Sequence, residues 1–198
     1  KTEKTEDDIL FVIAQIKNPN FKVPMPYDIA LYGKKMWEWV ALAGDGCEIK
    51  TISMTEEGDI LALCKPFLKD KKYTAIFYSD TPLLTKSTFM EIFEYFTRKD
   101  LNVLKLTRGY IFKTDYLREC TEVMAPACHY FDGEDFITCF DFKQLSLVQD
   151  ILKNRILDFH MRNGVNIINP LTTYIDADVI IESGVVIYQN NTLKGMCY

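Results

Sequence analysis

Ile175, Ile181, Ile187 and Leu193 stand six positions apart near the C-terminus, and Val179 and Val185 repeat at the same interval, two places before Ile181 and Ile187. Asp176 and Glu182 follow the first two isoleucines. A period of six fits neither a helix, with its 3.6-residue turn, nor an ordinary strand, whose side chains alternate every second residue. It fits a triangular β-solenoid, in which each flat side takes about six residues and one aliphatic side chain turns into the axis at each step. A plain hairpin would give alternation without the sixfold register. The stretch makes only a little over one coil, so the reading requires that another subunit or further chain cover its end.

Before this repeat the periodicity is helical. Leu145, Val148, Ile151, Leu152, Ile156 and Phe159 recur every three or four residues with charges between them, and Gly164 ends the pattern. One amphipathic helix of about five turns is predicted from Phe142 to Arg162.

The first two thirds alternate strand and helix signals. Ile9 to Ala14 is a continuous apolar run, as in a strand buried on both faces, and reads as the central strand of a parallel sheet. Pro19, Pro24 and Pro26 make the next stretch a loop. A helix is predicted from about Lys34 until Gly44 and Gly46 stop it. A strand follows at Glu48 to Ile52, a helix at Asp59 to Cys64 and a strand at Tyr73 to Tyr78. Thr85 caps a helix with Phe89, Ile92, Phe93 and Phe96 on one face. Strands at Leu101 to Leu106 and Gly109 to Phe112 come next, then a short helix capped by Thr114. Such alternation predicts a doubly wound, Rossmann-like α/β sheet. The expected organisation is an α/β domain over 1–141, a linker helix over 142–163 and the repeat over 164–198.

With 48% hydrophobic residues and a net charge of −5, the chain can form a real core and lacks a general electrostatic grip on nucleic acid or an anionic membrane. No apolar run is long enough to span a bilayer and no secretion signal is visible, so a cytoplasmic location is the default expectation. The six cysteines have no zinc-ribbon spacing and read as reduced, mostly buried thiols. Cys128 and His129 adjoin one another between Cys120 and Cys139, but neighbouring side chains point apart, so a metal site is not expected there. The chain begins without methionine and ends straight after a repeat, as a piece of something longer would.

Three stretches resemble one known family. Arg155-Ile-Leu-Asp-Phe-His-Met-Arg-Asn-Gly-Val165, continuing through Ile168-Asn169-Pro170 and Thr173 to Val179, is similar nearly residue by residue to a helix-to-solenoid junction. Tyr78-Ser-Asp-Thr-Pro-Leu-Leu-Thr85 resembles a strand ending in G-D-x-P-L, and Leu31-Tyr-Gly-Lys-Lys-Met36 resembles an L-x-G-K-P-M helix entry. The family is the bacterial bifunctional N-acetylglucosamine-1-phosphate uridyltransferase/glucosamine-1-phosphate acetyltransferase. The resemblance implies a nucleotidyltransferase-like domain, a long linker helix and the first coil of a left-handed parallel β-helix of the hexapeptide-repeat kind. It also implies UTP or a UDP-sugar as partner, Mg²⁺ as cofactor and a homo-oligomer built through the β-helix.

The departures fall on the nucleotide site. Where the family has a glycine-rich phosphate loop and an arginine, this chain reads Ile13-Ala-Gln-Ile-Lys-Asn-Pro-Asn-Phe21, so both loop glycines and the arginine are missing. Lys17 is left as a candidate phosphate contact or a solvated surface charge. The uracil-reading region is replaced by Thr55-Glu-Glu-Gly-Asp-Ile60, which keeps Gly58 as a nucleotide-binding candidate but adds carboxylates that repel a triphosphate. A long excursion that carries much of the family's sugar-phosphate pocket is reduced to Thr107-Arg108 between two strands. Asp80 matches the family's metal-binding aspartate, and Asp141 replaces its asparagine partner if the register slips by one. Asp80 reads equally well as a turn former that bonds backbone N–H groups.

Three functions follow as alternatives. One is a UDP-N-acetylglucosamine pyrophosphorylase-related pseudo-enzyme with reduced or no uridyltransferase activity, serving sugar-nucleotide binding or assembly. The second is an active Mg²⁺-dependent sugar-1-phosphate nucleotidyltransferase, and the third is the N-terminal part of a β-helix acyltransferase.

Overall fold

The computed structural model describes residues 5–16, 28–54, 59–68 and 70–195. Lys17, the proline-rich loop with Pro19, Pro24 and Pro26, Thr55 to Gly58, and Cys197 therefore lie outside the described residues.

The elements run β1 (Ile9–Gln15), β2 (Ala30–Leu31), β3 (Lys34–Lys35), α1 (Met36–Ala43), β4 (Glu48–Ser53), α2 (Ile60–Cys64), β5 (Tyr73–Tyr78), α3 (Lys86–Arg98), β6 (Val103–Leu106), β7 (Gly109–Lys113), α4 (Thr114–Glu119) and α5 (Phe142–Arg162). Four two-residue strands complete the order: β8 (Asn166–Ile167), β9 (Tyr174–Ile175), β10 (Val186–Ile187) and β11 (Thr192–Leu193).

Among the described residues the main sheet has the order β4-β1-β5-β7-β6. β1 pairs in parallel with both β4 and β5, whereas β7 runs antiparallel to β5 and to β6. The sheet is thus mostly parallel and fits a Rossmann-like arrangement. Ile9 to Ala14 is buried throughout, as its unbroken apolar run requires, but the middle position belongs to β5 rather than β1. The reason is the β6–β7 hairpin. Its connection is far too short for a parallel crossover, so it adds an antiparallel pair beyond β5 and displaces the centre.

Alternation along the inner strands sends side chains to two cores. Phe11, Phe77 and Ile111 meet α1 and α3, the latter through Phe89, Ile92, Phe93 and Phe96. Leu10, Val12 and Ile76 meet α2 and Leu117 of α4 on the opposite face. Thr85 accepts the Thr88 N–H at 3.2 Å and caps α3 as expected. Thr114 does not cap α4. It is buried and shares a 2.9 Å hydroxyl hydrogen bond with Thr74, because a polar side chain so close to the sheet must be satisfied internally.

α5 spans two further cores. Leu145, Val148 and Leu152 pack on Leu31, Met36 and Leu83, while Ile156 and Leu157 pack on Val165, Ile167, Ile175, Val179 and Ile187. Phe159, expected on the apolar face, is instead 63% exposed, and His160 takes the inward position beside it. The helix ends at Asn163 and turns through Gly164 at φ +89°, a conformation that favours glycine.

Beyond it, β8 pairs in parallel with β10 and β9 with β11, so the chain passes over itself after 18 to 20 residues. Ile175, Val179 and Ile187 point into the apolar interior, and Ile181 and Leu193 are partly buried against it. Val185 breaks the expected register, being 41% exposed.

Candidate functional site

The C-terminal end of β5 is where an α/β sheet of this kind places its ligands. The chain leaves β5 through Ser79, Asp80 and Thr81, all three buried. Thr81 Oγ1 donates to Tyr78 O at 3.1 Å, and the Asp80 carbonyl accepts the Cys139 N–H at 2.7 Å. This last bond ties the strand end to the segment that leads into α5.

Facing Asp80 is Arg108, at the tip of the two-residue turn between β6 and β7. Its Nε donates to Oδ1 at 3.1 Å and its Nη2 to Oδ2 at 2.6 Å, so the planar guanidinium grips both carboxylate oxygens. The same guanidinium lies 4.1 Å from the centroid of the Tyr78 ring, a cation–π stack that fixes its plane. Gly109 makes this approach feasible. It sits at φ +151° opposite Phe77, and a Cβ there would lie 2.8 Å from the Ile76 carbonyl oxygen.

The Asp80 side chain is 2% exposed and the Arg108 side chain 30%. Burial pushes the Asp80 carboxyl up while the Arg108 bonds pull against it. Burial also pulls Arg108 down, but Asp80 more than offsets this and holds the guanidinium firmly charged. Tyr78 is pushed up to about 12, chiefly by burial, so it is a neutral wall of the site.

Asp141 lies on the same side, two residues past Cys139. Its Oδ1 accepts the Gln144 N–H at 2.9 Å and caps α5. The Cys139 thiol is pushed up to about 12, first by burial and then by Asp80 and Asp141, and is therefore a poor nucleophile. Of the residues singled out in the sequence, Asp80 and Asp141 thus flank Cys139, whereas Lys17 and Gly58 are outside the described residues.

A divalent cation needs free carboxylate oxygens. Both Asp80 oxygens are taken by Arg108, Asp141 is engaged as a helix cap, and a positive charge already stands against Asp80. In this arrangement the pair does not fit Mg²⁺. No group of three metal-ligating side chains occurs among the described residues. No helix among them is long and apolar enough to cross a membrane.

Arg108 was not a candidate from the sequence. Its signal was present in part, since a two-residue connection ending in glycine puts residue 108 at a hairpin tip. What the sequence lacks is the β5–β7 pairing that turns the tip toward Asp80.

A second polar constellation locks α5 to the N-terminal end of α3. Arg155 of α5 donates to the Leu83 carbonyl at 2.8 Å and pairs with Asp135 at 2.7 Å and with Glu134. Asp135 also accepts from Thr85 at 2.9 Å and Thr88 at 2.6 Å. Burial pushes the Asp135 carboxyl up, but the bonds from Thr88, Arg155 and Thr85 outweigh it and hold it below the usual range.

No protein-family model matches the chain. Its curated relatives include the bifunctional protein GlmU of Clostridium beijerinckii, 29% identical over 70% of this chain and 44% of the relative. The Enterococcus faecalis protein of that name is 36% identical over 52% of this chain and 22% of its own length. The Brevibacillus brevis protein is 45% identical over 32% of this chain and 14% of its own. The matched region thus spans less than half of each relative. These are the relatives to which the helix-to-solenoid junction and the Asp80 strand end pointed, and the chain is similar to GlmU proteins over that part of their length.

Proposed function

We propose that this chain is a nucleotidyltransferase-like scaffold with reduced or no uridyltransferase activity, whose role is assembly through a C-terminal β-helix. The observation that carries this reading is the Arg108 guanidinium on both oxygens of Asp80, the position that the family resemblance assigns to the metal. Nucleotidyl transfer depends on positioning and neutralising phosphates, and a carboxylate already neutralised by an internal cation contributes to neither. The missing phosphate-loop glycines and the two-residue turn at Thr107-Arg108 point the same way.

In this proposal the ladders β8–β10 and β9–β11 are the first coil of a left-handed parallel β-helix. The 18-residue offset between Tyr174 and Thr192, three hexads, supports it. Units at 1–141, 142–163 and 164–198 follow. The uncovered edge of a single coil favours a homo-oligomer or continuation by further chain. A β-helix acyltransferase is the second reading, favoured by the same stacked ladders.

Calorimetry with UTP or UDP-N-acetylglucosamine plus Mg²⁺ tests the proposal. No heat at millimolar ligand is expected. Micromolar binding that disappears in Asp80→Ala would restore the active Mg²⁺-dependent enzyme, with Asp80 and Asp141 as its metal ligands.

A further inference from the structure

A cleft of about 560 Å³ opens where α1, the start of α3, α5 and the turn after β9 meet. That volume is within the range of small-molecule sites, and junctions between structural units are where such sites concentrate. Its walls are mainly apolar, from Trp39, Leu84, Leu152 and Ile156. Trp39 is held in place by its Nε1–H bond to Leu31 O at 2.8 Å, so this wall is rigid.

His160 also lines the cleft. It is 4% exposed, and its imidazole makes no hydrogen bond with any described residue; its one ring contact is edge-on to Phe159, 5.4 Å between centroids. Burial pushes its pKa down, so the ring is neutral, with one N–H to give and one nitrogen to accept. Among the described residues no side-chain nitrogen or oxygen shut off from solvent lacks a partner, so the unbonded imidazole nitrogens keep solvent access on the side of the cleft that the ring lines, where a ligand can reach them. Neighbouring buried polar groups do have partners: Lys153 donates to Leu171 O at 2.7 Å and Thr173 to Asn169 O at 2.8 Å.

Charge narrows the choice of partner. Lys34, Lys86 and Arg155 line the cleft against one carboxylate, Asp178, in a chain whose net charge is −5. The other carboxylates that pair with these cations, Glu6, Asp45, Glu134 and Asp135, lie off the lining, so the surface a ligand touches carries more basic than acidic groups. All three cations are already engaged, Lys34 with Asp178 at 2.7 Å, Lys86 with Glu6 at 3.0 Å and Arg155 with Asp135. This arrangement suits the single charge of a carboxylate better than a phosphate dianion.

We propose that the cleft binds an amphiphilic organic carboxylate, with an aliphatic or aromatic body against Trp39, Leu84, Leu152 and Ile156 and its carboxylate accepting a hydrogen bond from His160. The site is independent of nucleotide chemistry at Asp80.

The chain has two histidines, which makes the test direct. Octanoate and 4-phenylbutyrate are titrated while the imidazole protons of both are followed by NMR. His129 is exposed and bonded to Thr107 and Asp132, so it serves as the internal control. Saturable shifts confined to His160 are expected, with octanol and 4-phenylbutanol about tenfold weaker, as loss of one hydrogen bond to a charged group implies. His160→Leu should weaken the acids by a similar factor in calorimetry. Leu42→Trp, a change at an exposed position on the cleft lining, should block them without touching the core. The proposal is overturned by shifts that never saturate, by alcohols that bind as well as acids, or by affinity unchanged in both variants.

Discussion

The Asp80 end of the sheet and the His160 cleft both bury polar side chains, and they treat them in opposite ways. At Asp80 each charge has a partner from the chain itself: Arg108 grips the carboxylate, Tyr78 stacks on the guanidinium and Asp141 caps α5. At the cleft an imidazole of similar burial is left without a hydrogen bond among the described residues. Polar groups tied off within the chain mark a structural junction, and a nearly buried imidazole that keeps solvent access beside open volume marks a receptor. The strand end where the fold leads one to look for chemistry is thus occupied by the chain's own arginine, and the room for a ligand lies beside α5.

Substitutions can break this contrast, beginning with the largest effect. Arg108→Ala leaves Asp80 buried without its counter-charge and should lower unfolding stability by about 3–5 kcal/mol in denaturant titration. A loss below 1 kcal/mol would mean that water reaches Asp80 freely. Gly109→Ala forces a Cβ toward the Ile76 carbonyl at a positive φ and should cost about 2–3 kcal/mol. It should also reduce the cation–π perturbation of Tyr78 in the ultraviolet spectrum, because the hairpin tip must move.

Asp135→Asn weakens the clamp between α5 and the start of α3, with an expected cost of about 1–2 kcal/mol after allowing for solvent screening at the half-buried Arg155. The pH dependence has a definite sign. The Asp135 carboxyl is depressed in the folded chain, so its contribution is present above the ordinary value of about 3.9 and is lost as pH falls through the lower folded value. The stability gap between the natural chain and Asp135→Asn should therefore close below about pH 4. A gap that persists unchanged at lower pH would contradict the clamp. His160→Leu should change stability by less than about 0.5 kcal/mol in either direction, since replacing an unpartnered polar group with an apolar one of similar size is nearly neutral. A cost above about 2 kcal/mol would show that the imidazole had a structural partner after all.

The sequence made much of the scaffold legible where local signals and long-range packing agree. The unbroken run at Ile9 to Ala14, the phenylalanine face of α3 under its Thr85 cap and the span of α5 all survive in the structure. Misreadings came where a position answers to a neighbour far along the chain. Thr114 has the residue type of a cap but lies over Thr74, and Phe159 fits the helical period but is exposed while His160 beside it takes the inward position. Asp80 was visible as a residue of interest because Tyr78 to Thr85 resembles the family's strand ending in G-D-x-P-L. Its partner was not, because Arg108 reaches it only through the antiparallel pairing of β5 with β7. His160 was hidden for a similar reason: its environment is built from α1, α5 and the turn after β9 together.

The central claim is that Arg108 takes the place of a metal at Asp80, and manganese binding followed by electron paramagnetic resonance tests it most directly. With the natural chain the six-line signal of free Mn²⁺ should remain undiminished, and Arg108→Gln, which uncovers the carboxylate, should begin to sequester the ion. One Mn²⁺ taken up per natural chain and released in Asp80→Asn would contradict the account.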